Sequence, residues 1–167
     1  MGEIIKQKDN RRVFFEELIA LADNDKSIIL VTCDVGFNYL EKFSEKFPDR
    51  FFNFGVTEAS SMIICSAMAL SGMKVYFYSM INFSLFRPAE MVRNGVVKHN
   101  ANVKIIGVKG SSAYRFLGFS HNLLHEDEDK NFCKNIGLDY FIPKSLTEVR
   151  EAVIKSYKNK KPTYIRL

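Results

Sequence analysis

Apolar positions alternate between helical and strand spacing from about residue 10 to the end of the chain. Val13, Phe14, Leu18, Ile19 and Leu21 keep a helical period over 10–23, and Ser27-Ile-Ile-Leu-Val-Thr32 follows as a buried run of strand length. The same alternation predicts helices over 37–46, 57–71, 86–99, 124–135 and 146–158, and strands over 51–54, 74–80, 103–108, 138–142 and 163–166. Strands such as Val103-Lys-Ile-Ile-Gly-Val108 are rich in β-branched residues, as expected where helices cover both faces of a sheet. The expected fold is α/β: a single three-layer domain with a mostly parallel six-stranded sheet covered by helices on both faces. A length of 167 residues suits one such domain.

Punctuation supports these elements. Ser145-Leu-Thr-Glu148 has capping-box spacing at the start of the last helix, and Gly72 and Gly137 fall where helices should end. Neither feature carries chemistry. The one long irregular segment is 109–122, whose aromatics and histidine favour a functional loop.

Candidate chemistry begins at Phe51-Phe-Asn-Phe-Gly-Val-Thr-Glu-Ala-Ser60, a strand that breaks at Gly55 and delivers Glu58 to the first turn of a helix. Ligands of open α/β sheets collect beyond the carboxyl ends of the strands, which is where Glu58 falls. A first-turn Glu is also favoured by the helix dipole alone.

Charge and cysteine content narrow the options. The net charge of +5 raises nucleic-acid binding, but the densest basic run, Lys155-Ser-Tyr-Lys-Asn-Lys-Lys161, sits at a helix end where cations suit the dipole, and no nucleic-acid motif accompanies it. Cys33, Cys65 and Cys133 lack metal-ligand or disulfide spacing and are expected to be reduced and structural. Met1-Gly-Glu-Ile-Ile-Lys6 lacks a signal-peptide core, and Lys6 replaces the hydroxyl residue of a myristoylation motif. A cytoplasmic protein without membrane attachment is expected. The acidic run His125-Glu-Asp-Glu-Asp129 reads as a solvated helix start, with His125 no metal ligand, and His99 as an exposed or helix-terminal cation.

Three segments in fixed order, Phe54-Gly-Val-Thr-Glu58, Asn82-Phe-Ser-Leu-Phe-Arg-Pro-Ala-Glu-Met-Val-Arg-Asn94 and Gly118-Phe-Ser-His121, resemble the pyrimidine-binding domain of the transketolase family and of deoxyxylulose-phosphate synthase. The resemblance runs from about residue 10 to the C-terminus. It implies thiamine diphosphate as cofactor. Glu58 matches the glutamate that contacts the aminopyrimidine and favours the tautomer that takes the thiazolium proton. Phe83 or Phe86 matches the aromatic ring packed on the pyrimidine. Asp34, in Thr32-Cys-Asp-Val-Gly36, and Arg87 match further cofactor-side residues. His121 matches a hydrogen-bond donor to substrate oxygens, with Ser120 in place of the family's threonine, and Asn38 and Lys109 join it as substrate contacts.

What the chain lacks shapes the rest of the expectation. The family's Gly-Asp-Gly diphosphate and metal motif is absent, as is its third domain. The resemblance therefore implies a separate diphosphate-binding transketolase-like subunit that holds Mg2+ or Ca2+, most simply in an assembly with two copies of each chain. Leu117 stands where transketolases have an aspartate, and Lys109 where they have a phosphate-binding histidine, so a sugar or sugar-phosphate donor is expected without its identity. The leading expectation is transfer of a two-carbon ketol unit between sugars. A 2-oxo acid decarboxylase or synthase subunit and a noncatalytic α/β scaffold are the alternatives.

Overall fold

The computed structural model describes residues 9–110 and 112–167. The segment Met1–Lys6, and Ser111 of the irregular loop, lie outside them. Asp9 caps the first helix, α1 (Asn10–Asn24), by accepting the Arg12 amide at 2.9 Å. Chain order then runs β1 (Ile28–Thr32), α2 (Glu41–Lys46), β2 (Phe51–Asn53), α3 (Glu58–Leu70) and β3 (Lys74–Met80). Next come a short helix α4 (Ala89–Met91), β4 (Val103–Val108), α5 (Glu128–Ile136), β5 (Asp139–Phe141), α6 (Leu146–Asn159) and β6 (Thr163–Arg166).

All six strands form one sheet in the order β2-β1-β3-β4-β6-β5, and every pairing is parallel. Alternate strand residues feed two cores, which is why the strands read as continuous apolar runs. Ile28, Leu30, Tyr76, Ile106 and Ile165 pack with α1, Phe43 of α2 and α6. Ile29, Val31, Val75, Phe77, Ile105 and Tyr164 pack with α3, the helical stretch after β3 and α5. The chain leaves β1 and β3 toward opposite layers, so a crevice opens between their carboxyl ends.

Three expected helices are altered. The helix expected over 37–46 starts only at Glu41, because Asn38 takes a left-handed backbone with φ 71° and its amide donates to the Glu41 carboxylate at 2.7 Å. The helix expected over 86–99 begins earlier and is broken: π turns at Asn82–Phe86 and Val92–Val97 flank α4. Pro88 brings no amide hydrogen and its ring crowds the preceding turn, and the ladder widens there, with the Arg87 amide reaching back to the Asn82 carbonyl at 2.8 Å. The third, expected over 124–135, starts at Glu128, whose carboxylate accepts the Leu124 amide at 2.8 Å.

The caps largely follow expectation. Ser145 accepts the Glu148 amide at 3.2 Å, while the Glu148 carboxylate reaches back one residue further than a standard box, to the Lys144 amide at 2.8 Å. Gly137 closes α5 in the left-handed region. The three cysteines are free and buried. The solvated reading of the acidic run fails at Asp129, which is fully buried and paired with Arg166 on β6.

At the opposite end of the sheet Asp25 gathers α1, β1, β3 and α6. It accepts from the Ser27 amide at 2.9 Å, the Tyr157 hydroxyl at 2.9 Å and the Lys74 ammonium. Burial opposes its charge, but Lys74, Ser27 and Tyr157 together hold the carboxyl far below its ordinary value. A carboxyl depressed by folding stabilises above its unfolded value and loses that contribution as pH falls. Asp25→Asn should therefore destabilise the protein by on the order of 2 kcal/mol at pH 7 and flatten its stability profile between about pH 4 and 2. Urea melts across that range check it; parallel profiles for the two proteins would rule it out.

Candidate active site

Glu58 is the first residue of α3, immediately past the turn in which Gly55 takes φ 66°. The side chain points inward and is only 2% exposed. Among the described residues, the only hydrogen bond to its carboxylate comes from Arg87 Nη1, at 2.7 Å to Oε1. The Arg87 guanidinium in turn lies 4.0 Å from the centroid of the Phe83 ring. Phe83 meets His121 nearly at right angles, with ring centroids 5.0 Å apart. A chain of contacts thus runs from a buried carboxylate through a cation and an aromatic face to an imidazole.

Beyond Phe83 lies a cleft of about 390 Å³ at the carboxyl ends of β1, β3 and β4. Asp34, Asn38, Phe83 and His121 all line it, together with Arg11, Tyr39, Tyr78 and Tyr114. Asp34 and Asn38 both hold positive φ, 56° and 71°, a conformation that Asp and Asn tolerate better than most side chains and that collects at ligand sites. Asn53, at the end of β2, ties the two loops together by accepting the Asp34 amide at 2.9 Å and the Gly55 amide at 3.1 Å.

The family model described as "Transketolase, pyrimidine binding domain" matches residues 6–167. The chain belongs to the transketolase pyrimidine-binding family. It is 31% identical over 158 residues to a subunit of the apulose-4-phosphate transketolase of Phocaeicola vulgatus, covering 94% of this chain and 50% of that protein. It is 25% identical over 159 residues to the 6-deoxy-6-sulfo-D-fructose transketolase subunit SqwH of a Clostridium species, covering 94% of this chain and 48% of that one. A solved split-gene transketolase, an inactive β4 tetramer, superposes with a TM-score of 0.81 at 25% identity, over 95% of this chain and 50% of that one. The chain spans about half the length of these relatives.

Within this transketolase-family fold the two phenylalanines part company. An i→i+5 turn rotates the chain less per residue than an α-turn, so positions three apart diverge. Phe83 reaches the cleft, whereas Phe86 packs edge-on against Phe132 of α5 at 5.7 Å and joins the core. Lys109 also stands apart from the cleft, in an ion pair with Glu126. His99 and His125 are exposed.

The loop that carries His121 is held down in two ways. Asn82 donates to the Phe119 carbonyl at 2.9 Å, and Asn122 donates to the carbonyls of Tyr114 and Gly118 at 2.9 and 2.8 Å. Gly110 lets the loop close on the end of β4, since a Cβ there would collide with the His121 carbonyl. The His121 ring stacks parallel to Tyr114 at 6.1 Å. Ser120 Oγ lies 2.9 Å from the Leu117 carbonyl and 2.7 Å from His121 Nδ1, so the hydroxyl ties the ring to its own loop.

Arg11, Tyr39, Tyr78 and Tyr114 were not among the residues expected from sequence. Tyr114 lies in the irregular segment before His121, and Tyr78 sits near the carboxyl end of β3. No local signal marks Arg11 or Tyr39. They meet because Asp9 ties them, accepting from Arg11 at 3.1 Å and from the Tyr39 hydroxyl at 2.7 Å, with the Arg11 guanidinium 4.2 Å over the Tyr39 ring.

Proposed function

We propose that this chain is the pyrimidine-domain subunit of a split, thiamine diphosphate-dependent transketolase that moves a two-carbon ketol unit between sugars. The observation that carries the reading is a buried Glu58 carboxylate linked through the Arg87 guanidinium to the face of Phe83, a ring that lines the same cleft as His121. A flat ring with polar edges, such as an aminopyrimidine, fits that donor set: Phe83 packs its face and Glu58 meets its ring nitrogen. When bound, thiamine diphosphate supplies the carbon nucleophile that carries the ketol unit. Glu58 holds a proton at that ring nitrogen, and the desolvated surroundings strengthen the bond. His121 exchanges a proton with a substrate oxygen through Nε2, its ring steadied by the Ser120 contact at Nδ1. Asp34 and Asn38 stand along the cleft with Tyr39, Tyr78 and Tyr114, where a sugar's hydroxyls meet polar groups and its C–H faces meet rings.

The partner subunit in this reading provides the diphosphate cradle and the divalent metal, Mg2+ or Ca2+. One surface suits such a partner. From Val56 to Met73 the buried Glu58 is the only charged residue, and the solvent side of α3 presents Ser60, Ile63, Ile64, Ala67 and Leu70. A contiguous uncharged apolar face beside a functional carboxylate is the signature of an interface. Calorimetry with thiamine diphosphate and magnesium tests both parts. Binding should be seen when the chain is mixed with the diphosphate-binding subunit, and Ile63→Lys, which plants a cation in that face, should weaken partner affinity by at least about tenfold. No binding in the mixture would end the catalytic reading.

A further inference from the structure

We propose that Arg87 is a latch on the cofactor pocket: its guanidinium occupies the Glu58 edge and the Phe83 face that the aminopyrimidine needs, and it must leave both when the cofactor loads. The inference rests on the reading above and concerns its regulation. It starts from two contacts, 2.7 Å from Arg87 Nη1 to Glu58 Oε1 and 4.0 Å from its guanidinium carbon to the Phe83 centroid. A guanidinium is flat and edged with donors. It therefore makes with this pair the same kind of contacts as an aminopyrimidine, one edge hydrogen bond and one face stack. Because a single group makes both, it covers the Phe83 face that adjoins Glu58. A ligand ring joined to Glu58 while stacked on that face would overlap it.

A second conflict concerns charge. Paired with Arg87, Glu58 is a carboxylate and can only accept. A bond to the lone pair of a ring nitrogen needs the protonated acid, which donates. Loading the cofactor thus releases a guanidinium and takes up one proton from solvent at the same carboxyl group. Among the described residues, Cys33, just past β1, also faces Glu58; its thiol sits above its ordinary value through burial first and the Glu58 charge further down, and it stays neutral. Thr57 and Ser61 add only hydroxyls, bonded to each other at 3.0 Å.

The latch also explains why a chain without cofactor tolerates Glu58. A carboxylate 2% exposed and lacking a counter-ion is strongly destabilising, and Arg87 neutralises it. The Arg87 side chain is itself 42% exposed, so it can swing into solvent from the wide turn after β3. Apparent cofactor affinity is then the intrinsic affinity multiplied by the fraction of molecules with the latch open.

The test is calorimetry of thiamine diphosphate with magnesium on the complex with the diphosphate-binding subunit, in two buffers of different ionisation heat. Wild type, Arg87→Gln and Arg87→Lys are compared. Arg87→Gln should bind about tenfold more tightly, because an ion-paired competitor is gone. Wild-type binding should take up close to one proton, read from the difference between the two buffers. Arg87→Lys, which keeps the charge but not the flat stack, should lie between, and it carries the comparison should Arg87→Gln melt too low to titrate. Equal or weaker binding by the variants, or no proton uptake by the wild type, would overturn the latch while wild-type binding leaves the enzyme reading standing. A wild-type complex that binds no thiamine diphosphate would sink both.

Discussion

Glu58→Gln should leave a folded chain that has lost almost all turnover. Glutamine keeps the shape and still accepts from Arg87, so the melting temperature should move little. It cannot trade a proton with a ring nitrogen, and acid–base roles of this kind are worth roughly a hundred- to ten-thousandfold in rate. The assay is the proposed ketol transfer, run on the complex with the proposed diphosphate-binding subunit beside circular dichroism melts of the variant. Turnover within about threefold of wild type, well below the range for an acid–base group, would favour the scaffold reading, in which the fold persists without chemistry.

Asp129→Ala should be the most damaging change to stability, at about 3–5 kcal/mol. Asp129 is fully buried and accepts from the Tyr164 hydroxyl at 2.6 Å and from Arg166 Nε at 2.9 Å. Burial, then the Asp129 charge, pushes the Tyr164 hydroxyl well above its ordinary range, so it remains a donor. Removing the carboxylate strands Arg166, only 9% exposed, with the Glu126 contacts of 2.8 Å to the side chain and 2.7 Å to the carbonyl as its remaining anchors. Those contacts are the reason to expect the lower part of the range. Urea denaturation reads the loss directly, and a change under about 1 kcal/mol, no more than an exposed pair is worth, would show that the pair contributes little. Because the network pins α5 to β6 just after the His121 loop, the variant should also raise the Michaelis constant for the proposed sugar substrate.

Much of this was legible along the chain. Helices cover the sheet on both sides, so each strand is apolar throughout and announces itself as a run, and the caps at Ser145 and Gly137 fall where local geometry demands them. Glu58 was legible for the same reason: a strand, a glycine break and a first-turn acid are adjacent in sequence. Phe83 and Phe86 were not separable, because a three-residue spacing on an ideal helix puts both on one side, and the π turn at Asn82–Phe86 undoes that assumption. Asp129 looked solvated because four acids in a row resemble a surface, while its partners, Tyr164 and Arg166, lie more than thirty residues downstream.

The layered parallel fold, the family and the place of Glu58 were all written in the chain itself, since each follows from local periodicity or from motifs within a short stretch. Tertiary packing alone settled that Arg87 lies on Phe83 and binds Glu58, that Lys109 pairs with Glu126 outside the cleft, and that Arg11, Tyr39, Tyr78 and Tyr114 line it. Those contacts join loops from separate strands, and their geometry depends on how parallel strands are ordered in the sheet, which no local pattern encodes.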